Sequence, residues 1–317
     1  MTNLHASEWT LELSPGVAMS FRHLPGGRFR MGARGYYQTE EPVHEVALRD
    51  FYLAVFPVTQ RQFAVWTAAV GRTHKNGFSG AQYGEHPAEN MSWFEARDYC
   101  AWLTECFGDQ FPVGMAAGLP TESQWEYASR LMQDERGQVR VSETEYYTGD
   151  GIAALKQAGW FDENSGDSTR PVGQLQGTDF GLYDLHGNVD EWCRDAYSAA
   201  AYKQRGAVVS DPCVTAAEIG ESEDSARRVF RGGSWDYSAG NCRSAYRGWW
   251  GPDNRDGFQG FRVCLFSGPV PEQSVSTAAE SECGSAAGAR RLGRAEAEDR
   301  HEDAAAVDLS AAHIGGH

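Results

Sequence analysis

The sequence is poor in positive charge. It has 28 lysines and arginines against 44 aspartates and glutamates, a formal net charge of −16 over 317 residues. Nucleic-acid binding depends on lysine and arginine side chains that release counterions from phosphates, and anionic membrane surfaces attract the same side chains. We therefore predict neither a nucleic acid nor a membrane as a partner.

Paired cysteines and long apolar runs are also missing. The seven cysteines form no Cys-x-x-Cys pair and their number is odd, which is typical of reduced, scattered thiols and not of a disulfide framework or a zinc site. No apolar run approaches membrane-spanning length. The segment from Met1 to Pro15 has no basic region followed by an apolar core, so we expect no signal peptide. These observations favour a cytoplasmic protein.

Aromatic residues are frequent and include ten tryptophans. The last aromatic residue of the chain is Phe266. Beyond it proline, serine, alanine, glutamate and arginine predominate, and such a composition buries too little apolar surface to offset the entropy cost of ordering. We predict one domain over residues 1–266 and a disordered tail over residues 267–317. A docked helix over residues 286–306 is the alternative for part of the tail.

Short strands and three helices are expected before the aromatic residues end. Apolar alternation predicts strands over residues 9–13 and 17–21, a strand through Phe29 and Met31, and a strand pair over residues 43–56. Three positions are typical of helix starts: Thr59 as an N-cap, Ser92 with Glu95, and Thr121 with Gln124 as capping boxes. The rest is rich in glycine and tryptophan and shows few regular elements.

Eight motifs occur in an order that resembles the formylglycine-generating enzyme (sulfatase-modifying factor) family. They are GRFRMG (27–32), EPVH (41–44), FPVT (56–59), NMSWFEA (90–96), LPTESQWEYA (119–128), FGLYDLHGNVDEW (180–192), RGGSW (231–235) and GFRV (260–263). The resemblance covers about residues 8–265. It implies an α+β, C-type-lectin-like fold with a small twisted antiparallel sheet, two or three helices and much irregular structure.

The copper chemistry of this family does not carry over to this sequence. In the enzymes that the sequence resembles, two cysteines after the Gly-Gly-Ser motif bind copper and oxidise a substrate cysteine, and a soft metal ion such as Cu(I) requires thiolates. Here Tyr237 stands where the first cysteine would be, and no cysteine fits the second position. We expect Cys242 to have a packing role.

Iron chemistry is not supported either. The iron-dependent branch of the family carries a separate helical domain with a histidine cluster, whereas no helix-type ligand spacing connects the histidines here, which are His23, His44, His74, His86 and His186. The active residues of a pyoverdine-maturation-type oxidase cannot be located in this sequence. A metal-dependent oxidase of the family is therefore kept only as the alternative function.

The segment 231–263 resembles a third branch of the family best, the variable proteins of diversity-generating retroelements. In these proteins adenine-directed mutagenesis of asparagine codons yields Asp, Tyr, Ser, Gly, Phe, His or Asn, among others. Nearly all residues in the intervals 236–238, 240–241, 248, 251 and 256–258 are of these types. Trp249 and Trp250 depart from the pattern, because adenine substitution in such codons cannot produce tryptophan. The alternative is an ordinary non-catalytic relative with a polar loop.

Both of these alternatives predict binding of an unidentified protein or small ligand. Small polar residues and exposed aromatic side chains are typical of binding loops. The predicted ligand-binding residues are Asp236, Tyr237, Ser238, Gly240, Asn241, Gly248, Trp249, Trp250, Asp256 and Phe258. The four aromatic members are the expected anchors, because rigid rings give a large contact area at low entropy cost.

The resemblance also implies a structural calcium ion. Its ligands would be the carboxylates of Asp184 and Glu191 and the carbonyl oxygens of Gly187 and Val189, an all-oxygen set that suits a hard cation. The alternative is a turn in which Asp184 caps local amides and Glu191 pairs with an arginine. We expect the arginines of the fixed motifs to form buried ion pairs that hold irregular backbone; they are Arg231, Arg243, Arg247, Arg255 and Arg262.

Overall fold

Five α-helices lie in the part of the chain that the computed structural model describes, which is residues 8–77, 80–206 and 208–267. They are α1 (Gln60–Ala69), α2 (Trp93–Phe107), α3 (Glu122–Arg130), α4 (Ile152–Ala158) and α5 (Ala201–Gln204). Thr59, Ser92 and Thr121 precede the first three and each closes a capping box. The three predicted helix starts are confirmed. No described helix is long and apolar enough to cross a membrane.

Sixteen strands, most of them short, occur in the same described residues. They are β1 (Glu8–Ser14), β2 (Val17–Leu24), β3 (Gly27–Met31), β4 (His44–Leu48), β5 (Phe51–Ala54), β6 (Met115–Gly118), β7 (Leu131–Gln133), β8 (Val139–Val141), β9 (Gly159–Trp160), β10 (His186–Gly187), β11 (Asp190–Ala196), β12 (Val208–Ser210), β13 (Arg228–Arg231), β14 (Gly248–Trp250), β15 (Gln259–Gly260) and β16 (Cys264–Ser267). The strands predicted before Pro57 are confirmed. The predicted tail lies, apart from Ser267, outside the described residues.

Two sheets organise the domain. The larger has the order β1-β2-β5-β16-β6 with antiparallel neighbours throughout, and the second has the order β14-β13-β11-β15. In the second sheet β15 runs parallel to β11, while β13 is antiparallel to both of its neighbours. A three-stranded sheet, β12-β4-β3, and two two-stranded ladders complete the pairing. This is an α+β architecture, as predicted.

Helix α2 and the larger sheet form the main apolar core. The predicted inward stripe of α2 is buried, including Trp93, Tyr99 and Leu103. Every residue of α3 is buried as well. A helix that carries Glu122, Glu126 and Arg130 can be buried only if these charges find partners inside the protein.

The partners are the arginines of the C-terminal motifs. Arg231 donates to Glu122 at 2.8 Å and to Glu126 at 2.6 Å, and Arg247 donates to Glu122 at 2.7 Å. Arg243 and Arg262 are buried too, and they pair with Glu40 and Glu191.

Arg255 is the exception to the predicted set of buried arginines. It lies in the exposed run 253–256 and pairs with Glu95 in the first turn of α2, where its side chain keeps 45% of its exposure. The other four connect the segment 231–262 to earlier parts of the chain, which fixes the ends of the loops between them.

Candidate binding surface

The first loop of the candidate binding surface, residues 232–242, packs on buried groups that fix its position. Gly233 has φ of +72°, and a Cβ there would lie 2.6 Å from Sγ of Cys242. His186 contacts the carbonyl oxygen of Cys242 through Nδ1 at 2.7 Å and accepts from the Tyr147 amide through Nε2 at 3.1 Å. Burial lowers the pKa of His186 to about 3, so the neutral ring donates to the loop. The loop therefore has a defined path across the surface.

The second loop, residues 251–258, is fixed to the first loop and to α2. The indole nitrogen of Trp235 donates to the Gly257 carbonyl at 2.9 Å. The amide of Asn90 donates to the Asp256 carbonyl at 2.8 Å, and that of Trp93 to the Pro252 carbonyl at 3.0 Å. These bonds bring the two predicted loops side by side.

Three of the four predicted aromatic anchors meet where the loops adjoin. The ring centroids of Tyr237 and Phe258 are 5.4 Å apart, and those of Trp250 and Phe258 are 6.4 Å apart. All three side chains are half-buried. Asp236, Ser238, Gly240 and Asp256 are exposed in the same two loops and Asn241 is half-buried.

Two tyrosines that the sequence analysis missed extend this group, since Tyr246 is near enough to Tyr237 to raise its pKa. Tyr246 is half-buried, and Tyr37, which is 51% exposed, has its ring centroid 5.8 Å from that of Tyr246. Burial, with the carboxylate of Asp190 nearby, raises the pKa of Tyr246 to about 12. We call Tyr37, Tyr237, Tyr246, Trp250 and Phe258 the aromatic face.

Trp249, the fourth predicted anchor, belongs to another surface. It is 42% exposed, its ring centroid lies 5.7 Å from that of Tyr197, and the guanidinium carbon of Arg227 lies 4.0 Å from its ring. Neighbouring residues of a strand point to opposite faces, so Trp249 and Trp250 of β14 lie on opposite sides of the strand.

Gly248, also predicted as a ligand-binding residue, is buried. A Cβ at this position would lie 2.1 Å from the ring of Phe230. The glycine is thus required by the close approach of β14 to β13, and its neighbourhood is protein interior.

A buried carboxylate, Asp190 of β11, lies beneath the aromatic face. Its exposed fraction is 0%, and neither carboxylate oxygen has a hydrogen-bond partner of ordinary geometry. Burial raises its pKa well above the usual range, although the Gly233 amide and the Tyr237 hydroxyl face it closely enough to lower the pKa in part. The Oε1 atom of Gln259, the residue paired with Asp190 across the sheet, also lacks a donor.

The sequence contained a signal for Asp190, although the residue was not singled out. An aspartate between Val189 and Glu191 stands in a run that reads as buried strand, and a buried carboxylate requires a partner. No comparable signal existed for Tyr37, since nothing in the chain order relates it to Tyr246.

The two carboxylates among the implied calcium ligands, Asp184 and Glu191, accept hydrogen bonds from protein donors. Arg262 donates to both oxygens of Glu191 at 2.6 Å. Asp184 accepts from the Gly173 amide at 2.7 Å, and burial raises its pKa to about 6. A calcium ion would have to compete with a guanidinium for Glu191, so the residues as arranged do not fit the ion. The calcium site stays a prediction.

The thiol of Cys242, the last residue of the first loop, is poorly suited to metal or redox chemistry. Cys242 is fully buried and packs with Tyr146, Leu155 and Phe161. Burial raises the pKa of its thiol well above the usual range, whereas metal binding and nucleophilic attack need the thiolate. Among the described residues, no group of three or more His, Cys, Asp or Glu side chains could hold a metal ion.

Comparison with known proteins relates the chain to one family. The sulfatase-modifying factor enzyme 1-like domain matches residues 18–265. Serine/threonine-protein kinase pkn1 of Chlamydia caviae is 30% identical over 261 residues, which cover 75% of this chain and 37% of that protein. The chain thus spans little more than a third of the length of its chlamydial relatives.

Two further relatives match most of their own length. The inactive C-alpha-formylglycine-generating enzyme 2 of Bos taurus is 27% identical over 329 residues, which cover 85% of this chain and 95% of that protein. The solved structure of Treponema denticola variable protein 1 superimposes with a TM-score of 0.65 at 26% identity, covering 81% of this chain and 98% of that one.

Proposed function

The chain belongs to the sulfatase-modifying factor family, as its motifs predicted, and from that membership we propose that it is a non-catalytic member that binds a ligand on its aromatic face. The observation that carries the proposal is the contact of Tyr237, Trp250 and Phe258 at the surface, in two loops fixed by buried bonds. Rigid aromatic side chains on a fixed scaffold give binding area at low entropy cost.

The position of the aromatic face supports binding over oxidation. The resemblance puts the enzymes' cysteines in the interval that here contains Tyr237, and the remaining thiol, Cys242, is buried with a raised pKa. A relative named as an inactive formylglycine-generating enzyme covers nearly the same length. The oxidase alternative has no comparable group of residues in its favour.

The finer proposal is that retroelement mutagenesis diversifies the loops around the face. The similarity to a variable protein of the same fold supports it, as does the Asp, Tyr, Ser and Gly composition of residues 236–241. A cytoplasmic location is part of the proposal, and the lack of a Cys-x-x-Cys pair and the odd number of cysteines in the sequence support it. The acidic charge argues against nucleic acid as the ligand.

Sequencing the locus in sister isolates tests diversification. We expect substitutions to cluster in the codons for residues 236–259 and to fall on adenines, while the codons of the buried arginines stay unchanged. Substitutions scattered evenly over the gene would contradict diversification, although binding by an unvarying face would still stand.

Selection from a phage-displayed random peptide library tests the binding function. We expect clones that bind the wild-type protein and lose affinity by about 30-fold or more when Tyr237→Ala and Phe258→Ala are combined, because central aromatic anchors are typically worth at least about 2 kcal/mol. Affinities would be measured by surface plasmon resonance, after thermal unfolding has shown that the double variant folds.

Val113→Ala is the matched control, since Val113 is an exposed apolar residue outside the face. The enriched clones should bind this variant as they bind the wild type. If no clone distinguishes the wild type from the double variant, the proposal fails. Stoichiometric copper(I) binding coupled to oxygen uptake with a cysteine peptide would instead favour the oxidase alternative.

A further inference from the structure

Asp190 is a buried carboxylate that forms no ion pair with the described residues. Neither of its oxygens has a hydrogen-bond partner of ordinary geometry, and the groups that influence its pKa most are acidic or neutral: Gly233, Glu191, Tyr237 and Asp256. Other buried carboxylates, such as Glu122 and Glu191, pair with arginine. A charged carboxylate buried without a cation is costly to the folded protein, so burial favours the protonated form of Asp190 until a cation pairs with it.

The unpartnered oxygens lie directly under the proposed binding surface. The Tyr237 hydroxyl faces the Asp190 carboxylate, and Tyr246 is close enough for that carboxylate to raise its pKa. Oε1 of Gln259 adds a third buried acceptor without a donor, on the strand next to Asp190. Three acceptors therefore lie one side chain below an aromatic surface.

A cation with hydrogen-bond donors fits this arrangement on two counts. Ammonium and guanidinium groups carry hydrogen-bond donors and no acceptor. Donors are what the side-chain oxygens of Asp190 and Gln259 lack. The faces of aromatic rings attract cations, and cages of aromatic residues are a known solution for binding organic ammonium groups. A calcium ion would need six to eight oxygen ligands, more than these two side chains supply.

This inference rests on the proposed function. We infer that the ligand of the aromatic face carries an ammonium or guanidinium group, as a lysine or arginine side chain does, and that this group pairs with Asp190 beside the Tyr237 hydroxyl. The net charge of −16 would favour the encounter, because an acidic protein attracts cationic partners over distance.

Capped tripeptides test the inference directly. The probes are Ac-Gly-Xaa-Gly-NH2 with lysine, arginine, norleucine or citrulline in the middle, titrated into nitrogen-15-labelled protein. The readout is the indole N–H resonance of Trp250, assigned with Trp250→Phe. We expect the lysine or the arginine peptide to bind at least about tenfold more tightly than its uncharged counterpart.

Asp190→Asn keeps the shape of the side chain and removes its charge, and it should abolish this tenfold preference. Asp253→Asn is the matched control: Asp253 is exposed in the second loop and outside the aromatic face, so the preference should persist. Thermal unfolding of both variants checks that they fold, and the comparison of peptides on the wild type stands without either variant.

Equal affinity of charged and uncharged peptides for the wild type would overturn the inference, and so would a preference that survives in Asp190→Asn. Peptides that leave the Trp250 resonance unmoved, while library clones still bind the face, would overturn it too and leave the proposed function intact. If the library selection yields no clone that distinguishes the wild type from the double variant, the proposed function itself is contradicted.

Discussion

Glu122 is a buried carboxylate whose acidity depends on two guanidinium groups. Burial alone would raise its pKa, but Arg247 and Arg231 outweigh that effect and hold the pKa at about 2. The folded-state pKa thus lies below the ordinary value of 4.5. The charged form therefore stabilises the fold fully above pH 4.5, and this stabilisation is lost as the pH falls through about 2.

Glu122→Gln tests this account. At pH 7 we expect the variant to lose about 3–5 kcal/mol of unfolding free energy, because two buried arginines lose their shared charge partner. The difference from the wild type should shrink as the pH approaches 2, where the wild-type carboxylate also takes up a proton. Urea unfolding at a series of pH values measures both quantities.

Glu143→Gln serves as the control for this measurement. Glu143 pairs with Arg30 at the surface, where both side chains keep more than half of their exposure, so its loss should cost less than about 1 kcal/mol. A destabilisation by Glu122→Gln that stays constant down to pH 2 would contradict the proposed role of the charge.

Strand β14 carries the two tryptophans on opposite sides. Trp250 contacts Phe258 in the aromatic face, whereas Trp249 lies between Tyr197 and Arg227. Because successive side chains of a strand point to opposite faces, the two tryptophans can serve different purposes.

Alanine substitution at each tryptophan tests the separation. We expect Trp250→Ala to weaken the selected peptides by about tenfold or more, because it removes a ring of the face, and Trp249→Ala to change their affinity by less than about twofold. Surface plasmon resonance with the same clones gives both values. Comparable losses from the two variants would mean that the binding surface extends around the edge of the sheet.

At the scale of the whole molecule, local signals predicted the elements and their burial. The capping patterns at Ser92 and Thr121 act within one helical turn, so they could be read without knowledge of the fold. The family motifs added the α+β architecture. The burial of four arginines also followed from the sequence, since fixed basic residues in an acidic, irregular domain need carboxylates nearby.

Contacts between distant segments were not predictable in the same way. Tyr37 joins the aromatic face because the segment after β3 lies against Tyr246, and Trp249 leaves it because of the direction of one short strand. Gly248 was grouped with the variable residues by its type, whereas the proximity of Phe230 accounts for it. Each of these facts depends on tertiary packing, which residue types and spacing do not encode.

The buried arginines also determine when the protein can finish folding during its synthesis. Arg243 pairs with Glu40, 203 residues earlier, and Arg231 and Arg247 pair with Glu122, 109 and 125 residues earlier. Until the segment through Arg247 has left the ribosome, Glu40 and Glu122 lack these arginine partners. Contacts of such long range slow folding and prolong the exposure of apolar surface. We therefore expect co-translational folding of this domain to end late, with apolar surface exposed to aggregation until then.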